Sequence, residues 1–348
     1  MNRIHPLALA AVAACALAAC GGSDGDTAPL NTLPAGVLAP QTIHYDGTAD
    51  DLLTAGLGKA GLQSATPPAF ADPLKPTAAE LRRAAIYNSY RGLVDMTDGG
   101  GYGRLYGPNV TANGVVTSGD GKVAGTETLA ILDDGSGRQN VTLMAQVPAS
   151  FDPQNPCIIT ATSSGSRGVY GAISTGEWGL KRGCAVAYTD KGTGGAPHDL
   201  QNDTVPMVDG LRRAAASVGT LNPNSPFDDF VAFNAGLSAS ELTAFNTATP
   251  NRFAFKHAHS GRNPEKDWGQ FTLAAVRLAL YAINQQFGEK NSSGERLATF
   301  NAGNTLVIAS SVSNGGGAAI AAAEQDTEGV IDGVAVSEPA IEMPANAG

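Results

Sequence analysis

The chain has 348 residues, a formal net charge of −10 and 43% hydrophobic side chains, enough apolar material for a sizeable core and too much for wholesale disorder. That acidic balance repels a phosphate backbone, which excludes nucleic acid as a partner on charge alone. Glycine is the outlier at 43 residues, about 12% against a usual ~7%, and points to a globular body rich in turns.

The first element is a leader. Met1 to Ala19 carry Arg3 and then an almost unbroken Leu/Ala/Val run, which reads as a signal peptide with a short apolar region. The run ends Leu17-Ala-Ala-Cys20-Gly21, the form of a bacterial lipobox, so Cys20 is a candidate for lipidation, with ordinary signal cleavage as the alternative. Export is expected either way, to the cell envelope or beyond, and membrane contact only through that anchor. Residues 20–70 read as a tether or extended segment. Residues 71–348 read as one α/β domain with a loop-rich insertion over about 190–265.

Within that domain, Thr77-Ala-Ala-Glu80 is a capping box and predicts a helix over 77–95. Thr126–Leu132 and Val141–Val147 flank Asp133-Asp-Gly-Ser-Gly137, predicting a β-hairpin. Short buried strands are predicted at Cys157–Thr162 and Cys184–Thr189, with a helical segment around 171–181 between them. The stretch 190–265 lacks periodicity, apart from a short helix at Ser238–Asn246. Trp268–Phe287 is apolar around most of its circumference and predicts a buried helix. A strand at Thr305–Ala309, an Ala-rich helix near 317–324 and a strand at Val330–Val336 follow. Strands alternating with helices predict an α/β fold with a mostly parallel sheet, helices on both faces and right-handed crossovers.

Cys157 and Cys184 each open an apolar run. Cysteines on neighbouring parallel strands seldom have the separation and direction for a bridge, so two buried thiols are expected, with a disulfide as the alternative in an oxidising compartment. The histidines, at 5, 44, 198, 257 and 259, show no zinc spacing. No metal and no cofactor are expected.

The segment that carries chemistry is Ser311-Val-Ser313-Asn314-Gly315, entered from a buried strand and left by a helix. A nucleophile elbow places its serine on a strained strand-to-helix turn and needs small residues two before and two after it. Ser311 and Gly315 meet that demand around Ser313, with serine where glycine is usual. Ser313 is therefore the candidate nucleophile and Ser311 the runner-up. The Asn314 N–H, at the helix start, is placed to stabilise an oxyanion. A second donor belongs on the loop after an earlier strand, and Ser163-Ser164-Gly165-Ser166-Arg167-Gly168 is such a loop, with Ser164 or Gly165 as the donor. Lys191 and Arg167 could pair with a substrate carboxylate, although a solvated loop charge is the plainer reading of each. The expected triad order is Ser, then Asp/Glu, then His, yet no histidine follows Ser313. Upstream His198, His257 or His259 would serve only in an unusual topology. Glu338 follows the last strand and is not assigned as the acid. The simpler expectation is the amino-terminal part of a longer protein, incomplete at its C-terminus and nearly inactive alone.

Five runs carry a resemblance: Ser163-Ser-Gly-Ser-Arg-Gly-Val-Tyr-Gly171, Tyr188-Thr-Asp-Lys-Gly-Thr-Gly194, Phe255-Lys-His-Ala-His-Ser260, Asn263-Pro-Glu-Lys-Asp-Trp-Gly269 and Ser310-Ser-Val-Ser-Asn-Gly-Gly316. With them the chain resembles the bacterial D-(−)-3-hydroxybutyrate oligomer hydrolases over nearly its whole length. The resemblance implies an α/β-hydrolase-like fold and a serine esterase acting on short 3-hydroxybutyrate oligomers and dimers, with the nucleophile mapped onto Ser313. Competing readings are a tannase- or feruloyl-esterase-like hydrolase and a surface lipoprotein that binds without turnover.

Overall fold

The computed structural model describes residues 28–219, 222, 224–257 and 263–341. The leader, Cys20 and His259 lie outside the described residues.

The elements run in the order β1 (Val37–Tyr45), α1 (Gly58–Gln63), α2 (Ala78–Leu93), β2 (Gly125–Leu132), β3 (Val141–Pro148), β4 (Cys157–Thr160), α3 (Ile173–Arg182), β5 (Ala185–Thr189), β6 (His198–Asp199), β7 (Thr204–Pro206), β8 (Arg212–Ala214), α4 (Ala239–Ala248), β9 (Phe253–Ala254), α5 (Trp268–Phe287), β10 (Leu306–Val312), α6 (Ser313–Gln325) and β11 (Gly333–Ser337). A seven-stranded sheet has the order β1-β2-β3-β5-β4-β10-β11, and a small second sheet the order β8-β7-β6-β9. The small sheet and α4 occupy the stretch expected to be a loop-rich insertion.

Local chemistry explains most of these elements. Thr77 caps α2: its hydroxyl accepts from the Glu80 N–H while the Glu80 carboxylate accepts from the Thr77 N–H. The β2–β3 turn is closed by the Asp133 carboxylate, which accepts N–H groups from Gly135, Gly137 and Gln139. Along β3, Val141, Leu143, Ala145 and Val147 face the cluster beneath α5, while Met144 faces the cluster shared with α2 and α3. That alternation buries both faces of the sheet.

Three expectations need correction. The sheet is evenly mixed, not mostly parallel. The pairs β1–β2, β2–β3 and β3–β5 are antiparallel, while β5–β4, β4–β10 and β10–β11 are parallel. The hairpin enters the sheet whole and β1 adds a further antiparallel strand. Second, residues 20–70 are not simply a tether, because β1 pairs with β2 along its length and Leu52 and Leu53 are fully buried. Third, Cys157 and Cys184 form a disulfide. They sit side by side where β4 and β5 enter their parallel pairing, one residue before Ile158 opposite Ala185. There the Cα atoms lie 4.8 Å apart, inside the range a bridge accepts.

The strand order also locates a crevice. From β4 the chain crosses through α3 to β5 on one side; it then returns through α5 to β10 on the other side of β4. Right-handed crossovers in opposite directions put α3 and α5 on opposite faces, and α6 packs beside α5. The loops leaving β4 and β10 therefore part at a topological switch point, where sheets of this kind bind ligands.

Candidate active site

The turn after β10 sits at that switch point. Val312 is extended, with φ −128° and ψ 153°, and Ser313 takes φ +57°, a left-handed conformation that costs a residue with a Cβ about 1–2 kcal/mol. The helix begins at Ser313 itself, four residues before the predicted start. Close packing holds the turn. A Cβ on Gly315 would lie 2.3 Å from the Thr162 carbonyl oxygen, and one on Gly317 would lie 2.3 Å from the Ala340 carbonyl oxygen. The Ser313 carbonyl accepts the Ala340 N–H at 2.9 Å. The result is an exposed Ser313 between half-buried Val312 and Asn314, with Ser311 and Gly315 buried on either side.

Ser311, the runner-up nucleophile, is turned the other way. It is buried, and its hydroxyl donates to the Thr162 carbonyl at 2.6 Å. This bond explains how serine fits where glycine is usual: its Oγ takes the space that a Cβ at position 315 would need.

Across the crevice, the 163–168 loop is tied down rather than loose. The Asn314 side-chain oxygen accepts the Gly165 N–H at 2.6 Å, so this N–H, one of the two loop donors considered, is already engaged by the elbow. The Ser164 N–H is the loop donor left to set beside that of Asn314. The side chain of Asn314 was not singled out in the sequence; an asparagine beside a serine carries no signal of its partner until the two loops meet.

Lys191 and Arg167 are not solvated loop charges. Lys191 is fully buried with φ +59°. Its ammonium donates to the carbonyls of Ser163 (2.5 Å) and Gly165 (2.9 Å) and lies 5.0 Å from the centre of the Trp268 ring. Burial pushes its pKa down to about 8, with the neighbouring Asp190 carboxylate opposing. Burial likewise pushes the Asp190 carboxyl up, against Lys256 and the Gly192 N–H. Half-buried Arg167 donates from Nε to the Ser164 carbonyl at 3.0 Å. Both cations therefore face loop carbonyls, which removes the ammonium of Lys191 from consideration as a carboxylate site.

His198 is committed elsewhere. It is buried, with Nδ1 accepting the Ala235 N–H at 3.3 Å and Nε2 donating to the Asp203 carboxylate at 3.1 Å. His257 is exposed at the edge of a stretch outside the described residues. Among the described residues, no group of three or more His, Cys, Asp or Glu is placed to hold a metal ion, and no helix is long and apolar enough to cross a membrane. A cavity of about 580 Å³ adjoins the loop through Arg167 and Gly168 and continues past Tyr170, Met207 and Phe227.

These features define a mixed α/β protein that presents a serine hydroxyl on a strained strand-to-helix turn, opposite a Gly/Ser loop at the sheet's switch point. The chain belongs to the 3HB-oligomer hydrolase family, whose model matches residues 16–348. It is 62% identical over 99% of its length to the D-(−)-3-hydroxybutyrate oligomer hydrolase of Paracidovorax citrulli (strain AAC00-1), covering 47% of that protein. It is 60% identical over its whole length to that of Cupriavidus metallidurans (strain ATCC 43123 / DSM 2839 / NBRC 102507 / CH34), again covering 47%. With that of Ralstonia pickettii the identity is 58% over 97% of the chain, covering 47% of the relative. The chain thus spans about half the length of the curated relatives it matches.

Proposed function

We propose that this chain carries the nucleophile of a serine esterase of α/β-hydrolase architecture, exported from the cell, that hydrolyses D-(−)-3-hydroxybutyrate oligomers to monomer. The observation that carries the reading is Ser313: exposed, at φ +57°, directly after a strand with parallel neighbours on both sides. The family's name supplies the substrate class, and the antiparallel strands beside β5, β4, β10 and β11 support the architecture. In this reading Ser313 Oγ attacks the ester carbonyl and its proton passes to a histidine. The tetrahedral oxyanion takes hydrogen bonds from the Asn314 and Ser164 N–H groups. The alcohol leaves with a proton, and water then releases the acyl group from Ser313. Both nitrogens of His198 are engaged, and this reading takes the base and its acid from the part of the relatives' length that the chain does not cover. Export rests on the Met1–Ala19 leader, and a lipid anchor on Cys20. The cavity beside Arg167 offers room for the remainder of a short oligoester.

The test uses a protein of the relatives' full length carrying this sequence. A phosphonate ester probe is expected to label Ser313, and Ser313→Ala to lower turnover of the hydroxybutyrate dimer by about 10⁴-fold or more. Ser311→Ala, which loses one buried hydrogen bond worth about 1 kcal/mol, is expected to remain labelled and active. Full activity in Ser313→Ala would sink the assignment.

A further inference from the structure

Three successive carbonyls of the 163–165 loop face cationic side chains. Lys191 Nζ holds those of Ser163 and Gly165, and Arg167 Nε holds that of Ser164. In a trans peptide the N–H points opposite to the C=O it is joined to, and the described residues contain no cis bond. Each captured carbonyl therefore fixes the direction of the next residue's N–H. For the peptide between Ser164 and Gly165 the outcome is visible: Arg167 takes the carbonyl, and the Gly165 N–H lands on Asn314, next to Ser313. For the two flanking peptides the capturing group is Lys191, which has no exposed surface. The Ser164 and Ser166 N–H groups consequently point away from Lys191, on a loop that borders the crevice.

A bare lysine in the core is costly unless its charge is satisfied. Here two carbonyls, the face of Trp268 and the adjacent Asp190 receive it, with Arg167 and Glu265 the other charges acting on it. The arrangement uses the ammonium to aim backbone amides. Were the two carbonyls held by Lys191 released, the Ser163–Ser164 and Gly165–Ser166 peptides would lose that tether, and Gly165, at positive φ, has no Cβ to oppose their turning.

We propose that Lys191 is a positioning residue that holds the Ser163–Gly165 carbonyls inward so that the Ser164 N–H faces the oxyanion formed at Ser313. The inference rests on the Ser313 esterase reading and assigns to Lys191 a role in transition-state geometry rather than in carboxylate recognition.

The experiment again uses a protein of the relatives' full length carrying this sequence. Lys191→Met is expected to lower kcat for the hydroxybutyrate dimer by about 10²-fold, the usual effect of one lost oxyanion donor, with KM within about twofold. A trifluoromethyl ketone analogue, which forms a hemiketal oxyanion with the serine, is expected to lose inhibition by the same factor. Lys191→Gln keeps one donor and should show a smaller loss with the same division between kcat and KM; it carries the test if the methionine variant does not fold. A rise in KM at unchanged kcat would assign Lys191 to substrate binding and overturn the proposal, as would unaltered kcat and inhibition. Failure of the probe to label Ser313 in the unmodified protein is a separate result, and it would overturn the esterase reading itself.

Discussion

Ser311 and Gly315 share one small volume beside the Thr162 carbonyl. By size alone, serine at position 311 is a relaxed substitute for glycine. What it does there depends on Thr162, which arrives from β4 almost 150 residues earlier in the chain. Gly315→Ala would push a methyl group to 2.3 Å from the Thr162 oxygen and 2.6 Å from Ser311 Oγ. Neither neighbour can withdraw cheaply, because one is strand-end backbone and the other is hydrogen-bonded to it. The expected cost is about 1–3 kcal/mol, measured by urea denaturation, together with slower phosphonate labelling of Ser313 as the turn shifts. Lys191 teaches the opposite lesson. Its place after a buried strand was legible, but its burial was not, because nothing local distinguishes a lysine that faces water from one that faces carbonyls.

Elements with a local cause were the most legible. The α2 start followed from Thr77 and Glu80, and α5 occupies the span marked by its apolar circumference. How α2 is held to the sheet was not legible. Arg82 of α2 reaches the buried Glu127 of β2 with Nε at 3.2 Å and Nη2 at 3.0 Å, and Asp50 at 3.0 Å. Glu127 also receives the Tyr170 hydroxyl at 2.6 Å and the Gln146 amide at 2.7 Å. This network fastens α2 and the segment leading into α3 to β2 and β3. Removing one partner strands the others: Glu127→Ala should cost about 3–5 kcal/mol in denaturant unfolding. The double variant Arg82→Met, Glu127→Leu should recover part of that loss, since it removes both charges together. If Glu127→Ala unfolds at the parental midpoint, the network contributes nothing to cohesion.

At the scale of the whole molecule, buried titratable groups shape the alkaline stability curve. Lys191 loses its proton near pH 8 in the folded chain and near 10.5 in the unfolded one. Across that interval the unfolded state binds more protons, so this residue makes stability rise with pH. Burial raises the hydroxyl pKa values of Tyr90, Tyr170 and Tyr188 well above 10. Above about pH 10 the unfolded tyrosines ionise first, and stability falls. In denaturation at stepped pH, the unmodified chain should therefore gain on Lys191→Met between pH 8 and 10. A constant difference would mean that Lys191 does not titrate there.

Local sequence is enough to set the α/β alternation, the hairpin, the capped helix and the serine turn. Each of these is set by residues within a few positions of one another: a cap, a period of two, small residues either side of Ser313. The mixed character of the sheet, the Cys157–Cys184 bridge, the inward turn of Ser311 and the burial of Lys191 come from long-range packing. Those depend on which strand ends meet at the switch point. The loops from β4, β5 and β10 are far apart in the chain, and they become one site only when the sheet brings their carbonyls, amides and cations within hydrogen-bonding reach.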